Sequence, residues 1–253
     1  MDLAIIFENV SKSFELKNTG KPLATEISNQ KNRFKVLDEI SFEIKKGETI
    51  GVIGLNGSGK TTLLRMMCGV YTPDSGIIKV DGKMAPLLQI GTGFNNELDA
   101  EENIFLYGML LGLSKSEIAS QVDSILEFSE LEKFKKMKIG KFSNGMKARL
   151  GFATAMVVKS DILLIDEVLS VGDAVFKEKC MDTMMGLKKE KKTIVFSSHS
   201  LGMIKRLCDR VLLIHNQKIS KFAPPEEVLP RYRIIIQRHE EKKKERWENR
   251  SGS

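Results

Sequence analysis

The 253-residue sequence is poor in cysteine, and this scarcity narrows the class of protein. Its three cysteines, Cys68, Cys180 and Cys208, lie far apart and lack the spacing of a metal-binding motif. We therefore expect no disulfide framework and a reducing, cytosolic environment, because disulfides persist mainly in oxidising compartments.

Long hydrophobic runs are absent as well. The longest apolar-rich stretch, IFLYGMLLGL, falls well short of the roughly 20 residues that a membrane-spanning helix requires. The opening residues MDLAIIFENV lack the basic start and long apolar segment of a signal peptide. We also find no internal repeat. These absences favour a chain that is soluble on its own.

The composition fits an ordinary globular protein with an excess of positive charge. A hydrophobic share of 42% supplies a core, and the length suits one large α/β domain or one domain with a sub-lobe. The formal net charge of +7 favours acidic partners, namely nucleotide, nucleic acid or an anionic membrane face. The alternative is that the positive charge comes from scattered lysines whose role is only to keep the protein soluble.

Strand-like and helix-like segments alternate along the chain. The segment TIGVIG is apolar on both faces, as buried parallel strands are, and DILLIDE, TIVFSSH and DRVLLIH each have an apolar centre of the same buried type. Helical patterns at 173–189 and 201–208 separate the last three of them. This alternation predicts an α/β fold with a mostly parallel sheet and right-handed crossovers.

A helical stretch from about 99 to 158 interrupts the alternation. Ser114 and Glu117 form a capping-box pattern at the start of one predicted helix. Two apolar stripes at helical spacing predict core packing. The stripes are Ile118, Val122, Ile125 and Leu126, and Met146, Leu150, Ala153 and Val157.

Two polar segments have no such pattern. Residues 17–34 are nearly featureless, and we interpret them as an inserted loop, either a mobile surface loop or one near a partner. The tail from 234 to 253 is dense in charges of both signs. It indicates a solvated helix, with a partner-docking or membrane-surface element as the alternative.

The segment GLNGSGKTT, from 54 to 62, has the pattern of a phosphate-binding loop between a buried strand and a helix. Its glycines let backbone N–H groups curl around phosphates, Lys60 adds a point positive charge, and the Thr61 hydroxyl suits Mg²⁺. The candidate phosphate-binding set is Gly54, Asn56, Gly57, Ser58, Gly59, Lys60, Thr61 and Thr62.

Acidic and polar residues that follow other strands supply candidates for catalysis. Asp166 ends an apolar strand, where open α/β sheets bind ligands, and we expect it to hold Mg²⁺ through water. Glu167 is the candidate general base or water-orienting group. His199 is the candidate sensor of the γ-phosphate, and Gln89 is placed to reach the metal or the attacking water.

A second candidate anion site lies in KFSNGMKARL, where a Ser-Asn-Gly turn opens a helix. A helix N-terminus contributes about 0.3–2 kcal/mol, which is too little to retain a nucleotide alone. No Asn-Lys-x-Asp sequence is present, so a GTPase is disfavoured, and a small-molecule kinase would not need this turn. An ATP-driven machine fits better.

The order GLNGSGKTT, Gln89, FSNGM, ILLIDE, SVGD and His199 resembles the ATP-binding subunit of an ABC transporter over roughly residues 3–220. The resemblance implies a P-loop NTPase fold with an N-terminal antiparallel β subdomain and an inserted helical subdomain. It divides the chain into a nucleotide-binding domain at 1–223, with a helical subdomain at about 84–158, and a charged helical tail at 224–253.

The resemblance also implies a homodimer that binds ATP and Mg²⁺. Two subunits pair head to tail, so that Ser143 and Gly145 hold the γ-phosphate bound by the partner. Asp173, in SVGD, then lies at the dimer seam and couples the two sites. Phe14 occupies the position of the aromatic ring that stacks on adenine.

Departures from the common family motifs indicate a branch. The sequence has Phe142-Ser143-Asn144-Gly145-Met146, Val168-Leu169 and Val171-Gly172 where most members have Leu-Ser-Gly-Gly-Gln, Pro-Thr and Ala-Leu. In these segments it is similar to the exporters of lipid-linked polysaccharides (O antigen, capsule or teichoic acid), in the short type without a carbohydrate-binding domain. This implies a peripheral location at the cytoplasmic face of the inner membrane and a separate integral-membrane subunit that handles the glycan.

Two other functions remain open at this point. One is a soluble ABC-type ATPase that acts on nucleic acid or ribosomes, although such proteins usually have two cassettes or a long coiled-coil insertion. The other is the ATPase of an exporter for an unrelated substrate. The leading prediction includes no nucleic-acid partner.

Overall fold

The computed structural model of the chain describes residues 2–15, 33–88, 91–166 and 173–251. Within these ranges the chain forms nine strands and eight α-helices. The strands are β1 (Leu3–Glu15), β2 (Arg33–Lys45), β3 (Thr49–Ile53), β4 (Ser75–Val80), β5 (Met84–Leu87), β6 (Ile162–Asp166), β7 (Thr193–Ser197), β8 (Arg210–His215) and β9 (Lys218–Ala223). The helices are α1 (Lys60–Met67), α2 (Ala100–Leu110), α3 (Lys115–Ala119), α4 (Val122–Ser129), α5 (Asn144–Met156), α6 (Ala174–Lys189), α7 (Leu201–Leu207) and α8 (Pro225–Ser251).

The chain divides into two units, the first made of residues 1–81 and 197–253 and the second of residues 82–196. In the first unit an antiparallel sheet has the order β2-β1-β4. Strand β3, buried at all five positions, pairs in parallel with β8, and β8 pairs antiparallel with β9. The predicted antiparallel N-terminal sheet and the predicted buried strands at β3 and β8 are therefore confirmed.

The second unit combines parallel strands with helices. Strand β5 pairs in parallel with β6, and helices α2 to α5 contribute buried side chains to one apolar core. The predicted helix at 173–189 and, in the first unit, the helix at 201–208 correspond to α6 and α7. The α/β class is confirmed, because buried apolar strands followed by amphipathic helices form parallel pairs of this kind.

Two helices of the second unit, α2 and α3, begin with capping boxes. The predicted box at Ser114 and Glu117 is present, and a second one, at Asp99 and Glu102, was not predicted. The apolar stripe that begins at Ile118 is buried, but it is shared by two helices, since α3 ends at Ala119 and α4 begins at Val122. The sequence periodicity continued across this break because the core contacts continue across it.

Three boundaries differ from the sequence interpretation. The predicted loop at 17–34 lies outside the described residues up to 32, but Arg33 and Phe34 belong to β2, opposite Glu15 and Phe14. Strand β9 was missed; a two-residue turn, Asn216 and Gln217, joins it to β8 with φ of 50° and 68°. That turn lacks the glycine that usually marks such a hairpin.

The C-terminal helix is the third difference. Helix α8 begins at Pro225, next to the bound of 224 given for the helical tail but before the charge-dense segment that starts at 234, and its first turns bury Val228, Leu229 and Tyr232. Side chains from Gln237 to Glu245 are exposed, so the solvated-helix interpretation holds only for this later part. Among the described residues, no helix combines the length and the apolar character needed to cross a membrane.

Gly51 allows α7 to pack closely on β3, which gives a test of this fold. A Cβ at Gly51 would lie 2.6 Å from Ile204 Cδ1 and 2.7 Å from Cys208 Sγ. We expect Gly51→Ala to lower the free energy of unfolding by about 1–3 kcal/mol through overpacking, as measured by urea denaturation.

Gly186→Ala is the matched control for Gly51→Ala. Gly186 lies within α6, and a Cβ there would meet nothing within 4 Å. We expect this variant to gain about 0.5–1 kcal/mol, because alanine loses less backbone entropy in a helix. A Gly51→Ala protein as stable as the unmodified chain would contradict the packing described here.

Candidate nucleotide site

The loop between β3 and α1, Gly54 to Gly59, is tight because two of its glycines touch neighbouring atoms. A Cβ at Gly54 would lie 2.4 Å from Ser58 Oγ and 2.6 Å from the carbonyl oxygen of Ile214. At Gly59 the backbone has a φ of 102°, and a Cβ would approach the side chain of Leu37 to 3.0 Å. Both positions therefore require glycine.

The Lys60 side chain is buried inside this loop. Its residue is 9% exposed, and Nζ donates hydrogen bonds to the carbonyl oxygens of Gly54, at 2.9 Å, and Leu55, at 3.2 Å. A buried ammonium group needs such partners, since desolvation of an unpaired charge is costly. The loop thus holds a positive charge at its centre.

The start of α1 and Ser58 suit a phosphate group. Gly59 caps α1 without a side-chain hydrogen bond, and the first turn contains no acidic residue. The N–H groups at a helix start then favour an anion. Ser58 Oγ is buried and has no hydrogen-bond partner among the described residues. Thr61 and Thr62 follow in the first turn, half-buried. A phosphate group therefore suits the N–H and hydroxyl donors at this helix start.

Phe14 lies on β1 in the same unit, directly opposite Phe34 on β2. Its ring makes an edge contact with Tyr71 at 5.1 Å between centroids, and the Lys12 ammonium lies 5.5 Å from its centroid. The ring is therefore in contact with Lys12 on its own strand and with Tyr71 in the connection between α1 and β4.

The structure describes two of the four residues outside the candidate phosphate-binding set that the sequence proposes for catalysis or metal binding. His199, two residues after the end of β7, belongs to the first unit and is exposed; Asp166 ends β6 in the second unit and is half-buried. Gln89 and Glu167 lie outside the described residues. Within the described ranges, no cluster of three or more His, Cys, Asp or Glu side chains could hold a metal.

The second predicted anion turn begins helix α5. Ser143 is its N-cap, with Oγ accepting a hydrogen bond from the Met146 N–H at 3.1 Å. Phe142, 6% exposed, anchors the turn in the core, while Ser143 itself is exposed. A cavity of about 510 Å³ is bordered by Ser143, Gly145 and Asp173. The structure thus brings these three predicted residues together.

Arg149 links the two sides of this cavity, and sequence reasoning missed it. Its guanidinium forms ion pairs with Glu130, at 2.7 Å, and with Asp173, and lies 5.0 Å from the centroid of the Phe176 ring. Asp173 Oδ1 also accepts a hydrogen bond from the Phe176 N–H at 2.9 Å and so caps α6. The only available signal was a basic residue shortly after Ser143 on the same helix.

The hydrogen bond from the Phe176 N–H, followed by the Arg149 charge, holds the pKa of the Asp173 carboxyl below its usual range. The ionised form is therefore favoured at the start of α6, as expected for a helix N-cap.

Tyr232 is a further residue that sequence reasoning missed. Its hydroxyl, on α8, donates to the carbonyl oxygen of Gly54 at 3.2 Å, and the residue is 3% exposed. Gly54 O thus accepts from both Lys60 and Tyr232. Burial raises the pKa of the Tyr232 phenol, so it remains a donor at neutral pH.

A glycine-rich phosphate loop around a buried lysine, in an α/β fold with a capped second turn, defines an ATPase of the ABC class. Residues 37–170 match the ABC transporter family. The chain belongs to this family.

Relatives with assigned functions are similar over nearly the whole chain. The O-antigen export system ATP-binding protein RfbB of Klebsiella pneumoniae is 38% identical, over 92% of this chain and 98% of that protein. The teichoic acids export ATP-binding protein TagH is 36% identical in Bacillus anthracis and 40% in Listeria monocytogenes. The chain spans 44% of the first TagH and 70% of the second.

Solved structures share the fold. A dimeric ATP-binding cassette in a post-hydrolysis state, bound to ADP and Pi, superposes with a TM-score of 0.72 at 21% identity, over 87% of this chain and 98% of that one. An ATP-binding subunit of an ABC transporter gives 0.72 at 23% identity, over 90% and 93%. Both similarities support the ABC ATPase fold.

Tyr232→Phe tests the contact between α8 and the loop. The change removes one buried hydrogen bond but leaves Gly54 O paired with Lys60. We expect the free energy of unfolding in urea to fall by about 0.5–1.5 kcal/mol. Tyr71→Phe, which removes the partly buried bond from Arg65, is the control and should have a smaller effect. No loss for Tyr232→Phe would contradict the contact.

Asp173→Asn tests the charge at the start of α6. A carboxyl whose pKa is lowered on folding stabilises the fold above its unfolded pKa, and this stabilisation disappears as the pH falls through the folded pKa. We therefore expect the variant to be less stable than the unmodified chain at pH 7, with the difference shrinking below about pH 4. Urea midpoints at several pH values measure it. A difference independent of pH would contradict the assignment.

Proposed function

We propose that this ATPase energises the export of a lipid-linked polysaccharide, of the O-antigen, capsule or teichoic acid type, through a separate membrane subunit. The observation that carries the ATPase part is the buried Lys60 at the centre of a loop whose glycines touch their neighbours. The export part is supported by the RfbB and TagH relatives and by the variant motifs around Ser143 and Asp173.

In this proposal ATP binds with its phosphates against the backbone N–H groups of the loop. The Lys60 ammonium, now bonded to loop carbonyls, is the group that would turn to the β- and γ-phosphates. Asn56, Gly57, Ser58 and Thr62 complete the phosphate contacts, and Phe14 stacks on adenine.

The metal contacts are proposed for Thr61, Asp166 and Gln89. Magnesium, when bound there, would neutralise charge that develops on the phosphates. Glu167 would orient or deprotonate the attacking water, and His199 would contact the γ-phosphate. A positioned base of this kind contributes roughly 10²–10⁴-fold to the rate.

We further propose that two chains form a homodimer in which each loop is covered by the partner's Ser143 turn. A helix N-terminus stabilises an anion by about 0.3–2 kcal/mol, so the turn can favour a closed dimer only after the loop holds ATP. Arg149 would position Asp173 at the seam, since it pairs Asp173 with Glu130 beside the Ser143 turn.

The proposed location is the cytoplasmic face of the membrane, where the ATPase docks on its integral-membrane subunit. The membrane subunit would handle the lipid-linked glycan, and closing of the ATPase dimer would push the helical segment of about 84–140 against it. Helix α2 supports this, because it leaves Met109 and Leu110 exposed at its end, at 41% and 63%.

Glu167→Gln tests the shared-site mechanism. We expect the variant to bind ATP like the unmodified chain, to hydrolyse it roughly 10²–10⁴ times more slowly, and to accumulate closed dimers with ATP and Mg²⁺. Nucleotide titration, phosphate release and light scattering measure the three properties.

Glu127→Gln is the matched control for Glu167→Gln, because Glu127 is an exposed carboxylate on α4. This variant should hydrolyse ATP at the unmodified rate and form no additional dimer. If the Glu167→Gln protein remains monomeric with ATP and Mg²⁺, the shared site is wrong; if it hydrolyses ATP at the unmodified rate, Glu167 is not the base.

A further inference from the structure

A cavity of about 490 Å³ lies against the phosphate loop, within the first unit. Leu55, Asn56, Gly57 and Ser58 form one wall. The turn between β8 and β9 forms a second wall, and α8 forms a third. The C-terminal helix, which none of the predicted site residues belongs to, therefore borders the loop that is proposed to bind nucleotide.

The face of α8 that borders the cavity is basic. Ile235, Arg238, His239 and Lys242 line it, and their spacing of three, four and seven residues places them on one helical face. His215 lines the cavity from the opposite turn, and no acidic residue is among the lining residues. Positive charges that converge on a cleft without acidic neighbours attract an anion.

The basic side chains are not neutralised by the described part of the chain. Arg238 and Lys242 are exposed and form no ion pair with any described side chain. The carboxylate of Glu241, one residue before Lys242, instead accepts a hydrogen bond from Gln237 at 3.0 Å. Among the described side chains, neither of these two cations is committed to a salt bridge.

Helix α8 is fixed in place next to the loop. Val228, Leu229 and Tyr232 are buried, and the Tyr232 hydroxyl bonds Gly54 O at 3.2 Å. Tyr232 precedes Ile235 by three residues and so lies on the same helical face. The basic face is therefore held at the cavity by the buried part of its own helix.

The cavity also has an apolar side, formed by Phe34, Val36, Leu55 and Ile235. Phe34 is 49% exposed at the edge of this side. A volume of this size suits a small organic ligand, and apolar walls with a few convergent charges are typical of such sites. A ligand with a phosphate group and an apolar or aromatic part fits both sides.

We propose that Arg238 and Lys242 of the C-terminal helix, together with residues 55–58 of the phosphate loop, bind a phosphate-bearing organic anion in this cavity. The inference rests on the proposed function in one respect, because the anion can be the phosphate part of the nucleotide that the loop is proposed to bind. A separate phosphorylated small molecule is the other source. In both cases the C-terminal helix is part of the ligand site.

Nucleotide titration of the full chain tests the first source. The double variant Arg238→Gln/Lys242→Gln removes both charges from exposed positions, and circular dichroism checks that its fold is unchanged. Arg233→Gln/Lys243→Gln is the control, since it removes the same charge from exposed positions on α8 that do not line the cavity. We expect ATP and ADP to bind roughly 3–30-fold more weakly to the first variant and unchanged to the control, with the difference shrinking in high salt.

Inorganic pyrophosphate tests the second source. It is titrated into Lys60→Ala, which lacks the loop cation, and into the same chain with Arg238→Gln/Lys242→Gln added. Pyrophosphate binding that the added changes abolish, with unchanged nucleotide affinity in the double variant, identifies a separate phosphorylated ligand.

The inference is overturned if nucleotide affinity is the same in the double variant and its control, and if pyrophosphate binding does not depend on Arg238 and Lys242. These results are distinct from the result that would refute the proposed function. An unmodified chain that binds no ATP would refute the proposed function, and the pyrophosphate titration would still decide the role of α8.

Discussion

The buried ammonium of Lys60 is the interaction on which the first unit depends. A charge that is 9% exposed must be compensated, and here the carbonyls of Gly54 and Leu55 do so. Those carbonyls can point inward only because the loop is tight, and the loop is tight only because glycines replace side chains at its contacts. Strand β3 and helix α1 hold the two ends of this arrangement.

The same carbonyl connects the phosphate loop with the end of the chain. Gly54 O accepts from Lys60 and from Tyr232, so a change in the direction of the Lys60 ammonium alters the surroundings of the Tyr232 hydroxyl. In the second unit Arg149 has a comparable place, because one guanidinium joins Glu130 and Asp173 and packs on Phe176. In each unit a single polar group, Gly54 O in the first and the Arg149 guanidinium in the second, joins segments that are distant in the sequence.

Local patterns predicted the strands and helices well where burial and local geometry agree. Strand β3 is apolar at every position, and the Ser114 capping box supplies its own hydrogen bonds, so both were found. Strand β9 was missed because its exposed and half-buried residues carry a weak pattern and its turn has no glycine. The charge-dense pattern from 234 marks only the later part of α8, because the buried positions Val228 and Tyr232 of its first turns lie among polar residues.

The sequence by itself determined the phosphate loop and the Ser143 turn, since each is made of consecutive residues whose backbone geometry follows from glycine and from a capping serine. The tertiary structure alone decided the partners of those turns. Tyr232 and Gly54 are separated by 178 residues, and Arg149 and Asp173 by 24. No local propensity encodes such contacts; they exist because burial of α8 and packing of α5 and α6 bring the side chains together.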